Sequence, residues 1–138
     1  MQWYKAEITI PTQGKGFYPL TERVNACVAG WSLQDGMCFL FLPHTSASLV
    51  LSEDYDPSVK VDELAFLEAR IPDGAPQYTH RLEGADDASS HLRSMVLPSN
   101  LTIPVAGGRL ALGTWQGVTL LEHRKGPRKR TILVQCLA

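Results

Sequence analysis

Long apolar runs are missing from this 138-residue sequence, so no segment approaches the roughly 20 residues a membrane-spanning helix requires. The opening Met1-Gln2-Trp3-Tyr4-Lys5 lacks the basic start and apolar stretch of a secretory leader. Cysteine is scarce. Cys27, Cys38 and Cys136 are odd in number, widely spaced and set among apolar neighbours. That argues against a disulfide framework and for buried free thiols of a reducing compartment, the cytoplasm by default. Excess charge of either sign is absent, and a formal net charge of -1 removes the electrostatic reason to expect a nucleic acid or a membrane surface as partner. Neither Gly14-Lys15-Gly16 nor Gly107-Gly108 has the spacing of a phosphate-cradling loop. Nor is there a compact His-Glu-x-x-His signature, a Ser-His-Asp order, an internal repeat or a linker.

What is present is a globular composition, 44% hydrophobic and 20% charged, at a length that fits one domain over residues 1–138. Tyr4 to Ile10 alternates apolar and polar as a half-buried strand, with Pro11 as its end. Residues 13–16 read as a loop. Thr21 reads as the N-cap of a helix that carries Val24, Cys27 and Val28 on one face and stops at Gly30. Met37 to Leu42 is a bulky apolar run, expected to be a strand buried on both faces. A strand follows over 48–51. Asp56-Pro57 starts a helix that runs to about Arg70 with Val61, Leu64, Ala65 and Glu68 on one face. Asp86-Asp87 starts another, with Leu92, Met95 and Val96 apolar and Pro98 as its end. Strands are expected over 101–105, 109–112, 118–123 and 130–137. The economical fold is α+β, a single compact domain of mostly antiparallel sheet with two or three short helices.

Chemistry concentrates in a few stretches. Pro43-His44-Thr45-Ser46-Ala47-Ser48 stands at the mouth of the buried strand, where a titratable ring meets small hydroxylated residues. His44, His80 and His91 lie beside carboxylates in segments that break the surrounding pattern. Three imidazoles are a ligand set for zinc with one position left open. Asp87 and His91 are four apart and share a helical face, so the carboxylate is placed to orient the ring. Asp56 and Asp86 are each explained equally well as N-caps, whereas Glu53, Asp54, Glu83 and Asp87 have no such use; clustered carboxylates suit magnesium and a phosphorylated substrate. Val118, Leu120 and Glu122 share one strand face; Arg130, Ile132, Val134 and Cys136 share another. A hairpin loop at 125–127 sets Glu122 opposite Arg130, either as a structural pair or as an anion site. Arg124, Lys125, Arg128 and Lys129 read as a solvated hairpin tip, and His123 as a hydrogen-bonded surface residue. In Leu112-Gly113-Thr114-Trp115-Gln116-Gly117, Trp115 suits stacking on a flat heterocycle with Gln116 hydrogen-bonding it, or core packing equally well. Ser46 and Ser48 fit as pocket-lining groups better than as nucleophiles.

Taken together and in order, four stretches strongly resemble the YjbQ-type family, the small proteins called secondary thiamine-phosphate synthases. They are His44-Thr45-Ser46-Ala47-Ser48-Leu49, Glu53-Asp54-Tyr55-Asp56-Pro57-Ser58-Val59, His80-Arg81-Leu82-Glu83-Gly84-Ala85-Asp86-Asp87 ending in His91, and Leu112-Gly113-Thr114-Trp115-Gln116-Gly117 with Glu122. The match runs from about Trp3 to Gln135. Ser52 stands where the family usually has Asn, and Ala88-Ser89 replace its Met-Pro, removing a proline from the first helical turn. The resemblance implies a compact α+β fold, commonly a homotrimer, and a pocket that gathers these motifs around a metal or an anion. It implies an enzyme that joins a pyrimidine methyl diphosphate to a thiazole phosphate and releases diphosphate. On that expectation a divalent metal, zinc or magnesium, sits on His44, His80 and His91. His44, Glu83, Asp87 and Arg130 are catalytic, and Ser46, Ser48, Glu53, Asp54, Trp115, Gln116 and Glu122 line the substrate pocket. A metal-dependent hydrolase of a phosphorylated metabolite and a non-catalytic trimeric binder of one are the alternatives.

Overall fold

The computed structural model describes residues 1–138 as two antiparallel sheets with three helices. Alternation dictates the first strand, β1 (Trp3–Thr12), which turns Ile8 and Ile10 inward and leaves Lys5, Glu7 and Thr9 in solvent. It runs two residues past Ile10, because on this edge strand Pro11 has no partner on its free side to deprive of a donor. A short strand, β2 (Gly16–Pro19), follows and takes in the last residue of the loop expected over 13–16. Helix α1 (Thr21–Gly30) buries Val24 and Val28 and half-buries Cys27, as its spacing predicts. Thr21 is not its cap. Leu20 takes that position, and the Thr21 hydroxyl accepts from the Val118 N–H at 2.9 Å, tying the helix to the sheet.

Strands β3 (Gly36–Phe41), β4 (Ala47–Glu53), β5 (Asn100–Ala106), β6 (Arg109–Leu110), β7 (Gln116–Glu122) and β8 (Arg128–Leu137) complete the sheets. The larger has the order β1-β8-β3-β5-β6 and the smaller β2-β7-β4. Their facing sides and α1 bury one apolar core, including Ile8, Leu40, Leu49, Ile103, Leu120, Ile132 and Val134. The expectation that β3 is buried on both faces fails. Cys38 and Leu40 point into the core, while Phe41 on the outer face is 47% exposed. No helix covers that side.

The segment expected as a C-terminal hairpin is a change of sheet. Strand β7 has both edges taken by β2 and β4, and β8 has both taken by β1 and β3, so neither can pair with the other. Helix α2 (Pro57–Arg70) starts as expected, with Asp56 accepting from the Ser58 N–H at 2.9 Å and Pro57 in the first turn. Its buried residue is Leu67, not Val61, which is 65% exposed. Helix α3 (Asp87–Val96) inverts the apolar expectation. It buries Asp87, Ala88, Ser89, Ser90 and Arg93 and leaves Met95 and Val96 in solvent. Arg93 explains this: its guanidinium donates to the Ile71 carbonyl at 2.8 and 3.2 Å and pairs with Glu68 at 3.2 Å. None of the helices is long and apolar enough to cross a membrane.

Candidate functional site

Three elements meet at Asp87, the first residue of α3 and only 2% exposed. One helical turn on, His91 points its Nε2 at Asp87 Oδ2, 3.1 Å away. From the irregular segment before the helix, His80 brings its Nε2 to the same oxygen at 2.5 Å. Arg81 braces that segment through the Tyr78 and Pro76 carbonyls. The ligand atoms of His80, Asp87 and His91 all lie within 4.8 Å of one another. The loss of the family's proline leaves α3 in place, since Ser89 Oγ donates to Asp73 Oδ1 at 2.5 Å and anchors the first turn.

The next shell fixes the protons. His91 Nδ1 lies 2.8 Å from the Thr45 carbonyl, which can only accept, so that nitrogen carries the hydrogen. With that hydrogen on Nδ1, whatever else His91 carries sits at Nε2, facing a carboxylate oxygen. Two acceptors at 3.1 Å are stable only with a proton or a cation between them. The other oxygen of Asp87 accepts from Arg124 Nη1 at 2.5 Å. Burial pushes the Asp87 carboxyl up, but the His80 hydrogen bond and the charges of His91 and Arg124 outweigh it and hold the group below the usual carboxylate range. Arg124 is thus no solvated tip: it donates also to Asp86 Oδ2 and to the Glu83 carbonyl, each at 3.0 Å. Asp86 spends its carboxylate on Arg124 and the Lys125 N–H rather than on capping α3, and neither it nor Asp87 caps by its side chain.

His44 stands outside this ligand group. Its Nε2 accepts from the Thr131 N–H at 2.9 Å, so its Nδ1 holds the hydrogen. Burial and the nearby Arg130 charge lower its pKa, against the opposing pull of Glu122, and favour the neutral ring. With His91, Thr45, Ser94, Met95 and Ser99 it lines an open cleft of about 550 Å³.

Other expected site residues are engaged elsewhere. Glu122 and Arg130 do meet, but across the two sheets rather than in a hairpin. Arg130 donates from Nε and Nη2 to the two carboxylate oxygens at 2.7 and 2.6 Å. Its Nη2 also reaches Ser46 Oγ and O, and Glu122 accepts in addition from Thr12, so the two form a buried, hydrogen-bonded structural pair. Ser48 is sealed beneath α3 against His123 at 2.8 Å, and His123 is 1% exposed rather than at the surface. Glu83 offers Arg124 its carbonyl, not its carboxylate.

Glu53, Asp54, Trp115 and Gln116 occupy a different place. In the β4·β7 ladder Ala47 pairs with Glu122 at the histidine end and Glu53 pairs with Gln116 at the other. Six residues of strand separate them, about 20 Å. At that far end Glu53 accepts from the Tyr55 and Asp56 N–H groups, Asp54 pairs with Lys60, and Gln116 accepts from the Gly113 N–H. Trp115 is 58% exposed and meets Tyr55 edge-on at 5.0 Å. The four motifs therefore form two corners of one chain, not one pocket. The residues that sequence reading missed, Arg124 and the Thr45 carbonyl, carry no local signal. One lies in a basic run and the other is backbone.

A family model described as UPF0047 protein YjbQ-like matches residues 6–138. The UPF0047 protein YjbQ of Salmonella typhimurium is 47% identical over 131 residues, covering 92% of this chain and 94% of its own. The UPF0047 protein sll1880 of Synechocystis is 40% identical over 127 residues, covering 92% of this chain and 86% of its own. Among solved structures, the conserved hypothetical protein TT1486 of Thermus thermophilus superposes with a TM-score of 0.86 at 37% identity, covering 96% of this chain and 99% of its own. A YjbQ/UPF0047 protein of Clostridium acetobutylicum gives 0.87 at 32% identity, with coverages of 96% and 99%.

Proposed function

The chain belongs to the UPF0047 YjbQ-like family, and from that premise we propose that it is a metal-dependent enzyme acting on a small phosphorylated metabolite, with His80, Asp87 and His91 as the metal ligands. The observation that carries this reading is the convergence of His80 Nε2 and His91 Nε2 on Asp87 Oδ2, an arrangement that fits a cation. Two imidazoles and one carboxylate favour zinc over magnesium, which prefers oxygen donors. When bound, such an ion activates a water and polarises a phosphoryl oxygen.

The chain's own residues supply the rest. Arg124 and the Thr45 carbonyl hold Asp87 and His91 in orientation. His44, fixed with its hydrogen on Nδ1, is a neutral donor for a phosphoryl oxygen lying in the cleft. Hydrolysis of a phosphoryl group suits this set best, because Arg130 and Trp115, on which diphosphate release and pyrimidine stacking would draw, lie outside it. The homotrimer that the resemblance implies is part of the proposal, and so is the cytoplasm, which the three free thiols support.

The test is metal analysis joined to turnover. Zinc-loaded protein is expected to hold one ion per chain and to release inorganic phosphate from at least one member of a phosphorylated-metabolite panel. His80→Ala and His91→Ala are expected to lose the ion, and His44→Ala to keep it while turnover falls. Unchanged metal content in both ligand variants would overturn the assignment. Thiamine phosphate formed from the pyrimidine methyl diphosphate and the thiazole phosphate would assign the transfer instead. Thermal stabilisation by the metabolite without any product would assign a binder.

A further inference from the structure

Helix α2 is 14 residues long yet buries a single side chain, Leu67. Beneath it, over the outer face of the smaller sheet, runs a groove of about 480 Å³, within the usual range for small-molecule sites. Phe17 of β2, Val50 of β4 and Leu121 of β7 form its floor, and Asp62, Glu63 and Phe66 of α2 form its wall. The lining is apolar apart from the two acids, and no basic residue belongs to it.

Glu63 is the unusual member. Its Oε1 is shut off from solvent and has no hydrogen-bond partner. Burial pushes its carboxyl up, and the charge of Lys60 opposes that shift without cancelling it. Lys60 itself is paired with Asp54 and lies 6.0 Å from the Phe17 ring. On the same sheet face Thr119, opposite Val50 in the ladder, buries a hydroxyl that also lacks a partner. Buried polar atoms are ordinarily satisfied, so the orphaned Glu63 oxygen in an apolar lining is the mark of a missing partner. The partner must bring a donor to Glu63 and an apolar body to the floor. Two acids and no cation in the lining select a positive donor.

We infer that this groove is a second binding site, for a small organic cation with an aromatic or branched apolar body and one protonated amine that donates to Glu63. It is independent of the histidine cleft. The cleft is polar, open and on α3; the groove is apolar and built on α2.

The experiment titrates the full chain with 2-phenylethylamine, 2-phenylethanol and 3-phenylpropionate, followed by calorimetry and methyl NMR. The amine is expected to bind saturably at one per chain and to shift the Val50 and Leu121 methyl signals. The neutral alcohol is expected to bind about tenfold or more weakly, the scale of one charge-assisted hydrogen bond, and the acid more weakly still. Glu63→Gln keeps the side chain's shape and leaves Leu67 in place; it is expected to erase the amine's advantage while leaving the alcohol unchanged. His91→Ala is expected to keep amine binding intact, so loss of the metal site does not count against the groove. Absence of saturable amine binding overturns the inference, as does an amine preference that survives Glu63→Gln. Saturable amine binding that leaves the Val50 and Leu121 methyl signals unmoved overturns it too. So does a sedimentation result in which Glu63→Gln separates associated copies, since the groove would then hold a second chain.

Discussion

His123 sits 1% exposed, with Nε2 on Ser48 and Nδ1 without a partner. Burial, aided by the charge of Arg93, pushes its pKa down to about 3. In the unfolded chain a histidine takes its proton near pH 6.5. Between those values the unfolded state binds a proton that the native state refuses, so stability falls as pH drops through the window, by about 1.4 kcal/mol per unit. Urea midpoints taken from pH 6.5 to 5 are expected to show this slope, and His123→Gln to lose one proton's worth of it. Glu122 has the opposite chemistry and the same sign. Burial raises its carboxyl, but Arg130, Thr12 and the Arg124 N–H together hold it below the ordinary value, so its contribution is present above about pH 4.3 and is lost in stronger acid. Arg130→Met leaves Glu122 charged, buried and unpaired, an expected loss of about 3–5 kcal/mol in denaturant unfolding, and adding Glu122→Met is expected to recover most of it. Arg124→Met is expected to weaken metal binding about 10- to 100-fold, and to lower the melting temperature as well because Asp86 and Asp87 lose their cation. These residues differ in how well the sequence announces them. The inward parity of Glu122 and Arg130 is a property of each strand alone, so their meeting was legible even though the route was not. The burial of His123 and the duty of Arg124 depend on what α3 lays over them, which no local pattern records.

Among the elements, α3 and the β4·β7 pair decide where chemistry can occur. The spacing of Asp87 and His91 is one helical turn, and so their shared face was readable without a structure. The choice of which face to bury was not, because Arg93 answers to the Ile71 carbonyl and Glu68 on another element. At the far end of the β4·β7 ladder, Gly117 admits the Asp54 side chain. A Cβ placed there would lie 2.7 Å from Asp54 Cβ and Cγ. Gly117→Ala is therefore expected to cost about 1–3 kcal/mol in thermal or urea unfolding, and Asp54→Gly in the same chain, which also removes the Asp54 Cβ, to relieve much of that. Two glycines around a tryptophan point to close backbone approach, and Gly117 is such a place. What approaches is the carboxylate of Asp54, just past the end of β4.

At the scale of the whole molecule, the α+β architecture followed from alternation, helix starts and proline stops, all of which are local. The division into two sheets was hidden, because strand partners are chosen over long sequence separations. The larger sheet's outer face carries Trp3, Phe39, Phe41 and Leu133, and Trp3 is 50% exposed. This face supports the proposed trimer. Sedimentation is expected to give three times the 15.2 kDa chain mass, and Phe41→Asp a single chain with an unchanged circular dichroism spectrum. A single-chain wild type would remove the trimer. One consequence follows from the strap that carries the chain from β7 to β8. Its residue Arg124 grips Asp86 and Asp87 while its two ends belong to different layers. The histidine cleft is therefore mechanically in series with the spacing of the sheets, and works as a gauge of it. Trimming the core at Leu120, which lies between the sheets and outside the His80, Asp87 and His91 group, is expected to move the His91 ring resonances as the layers settle closer.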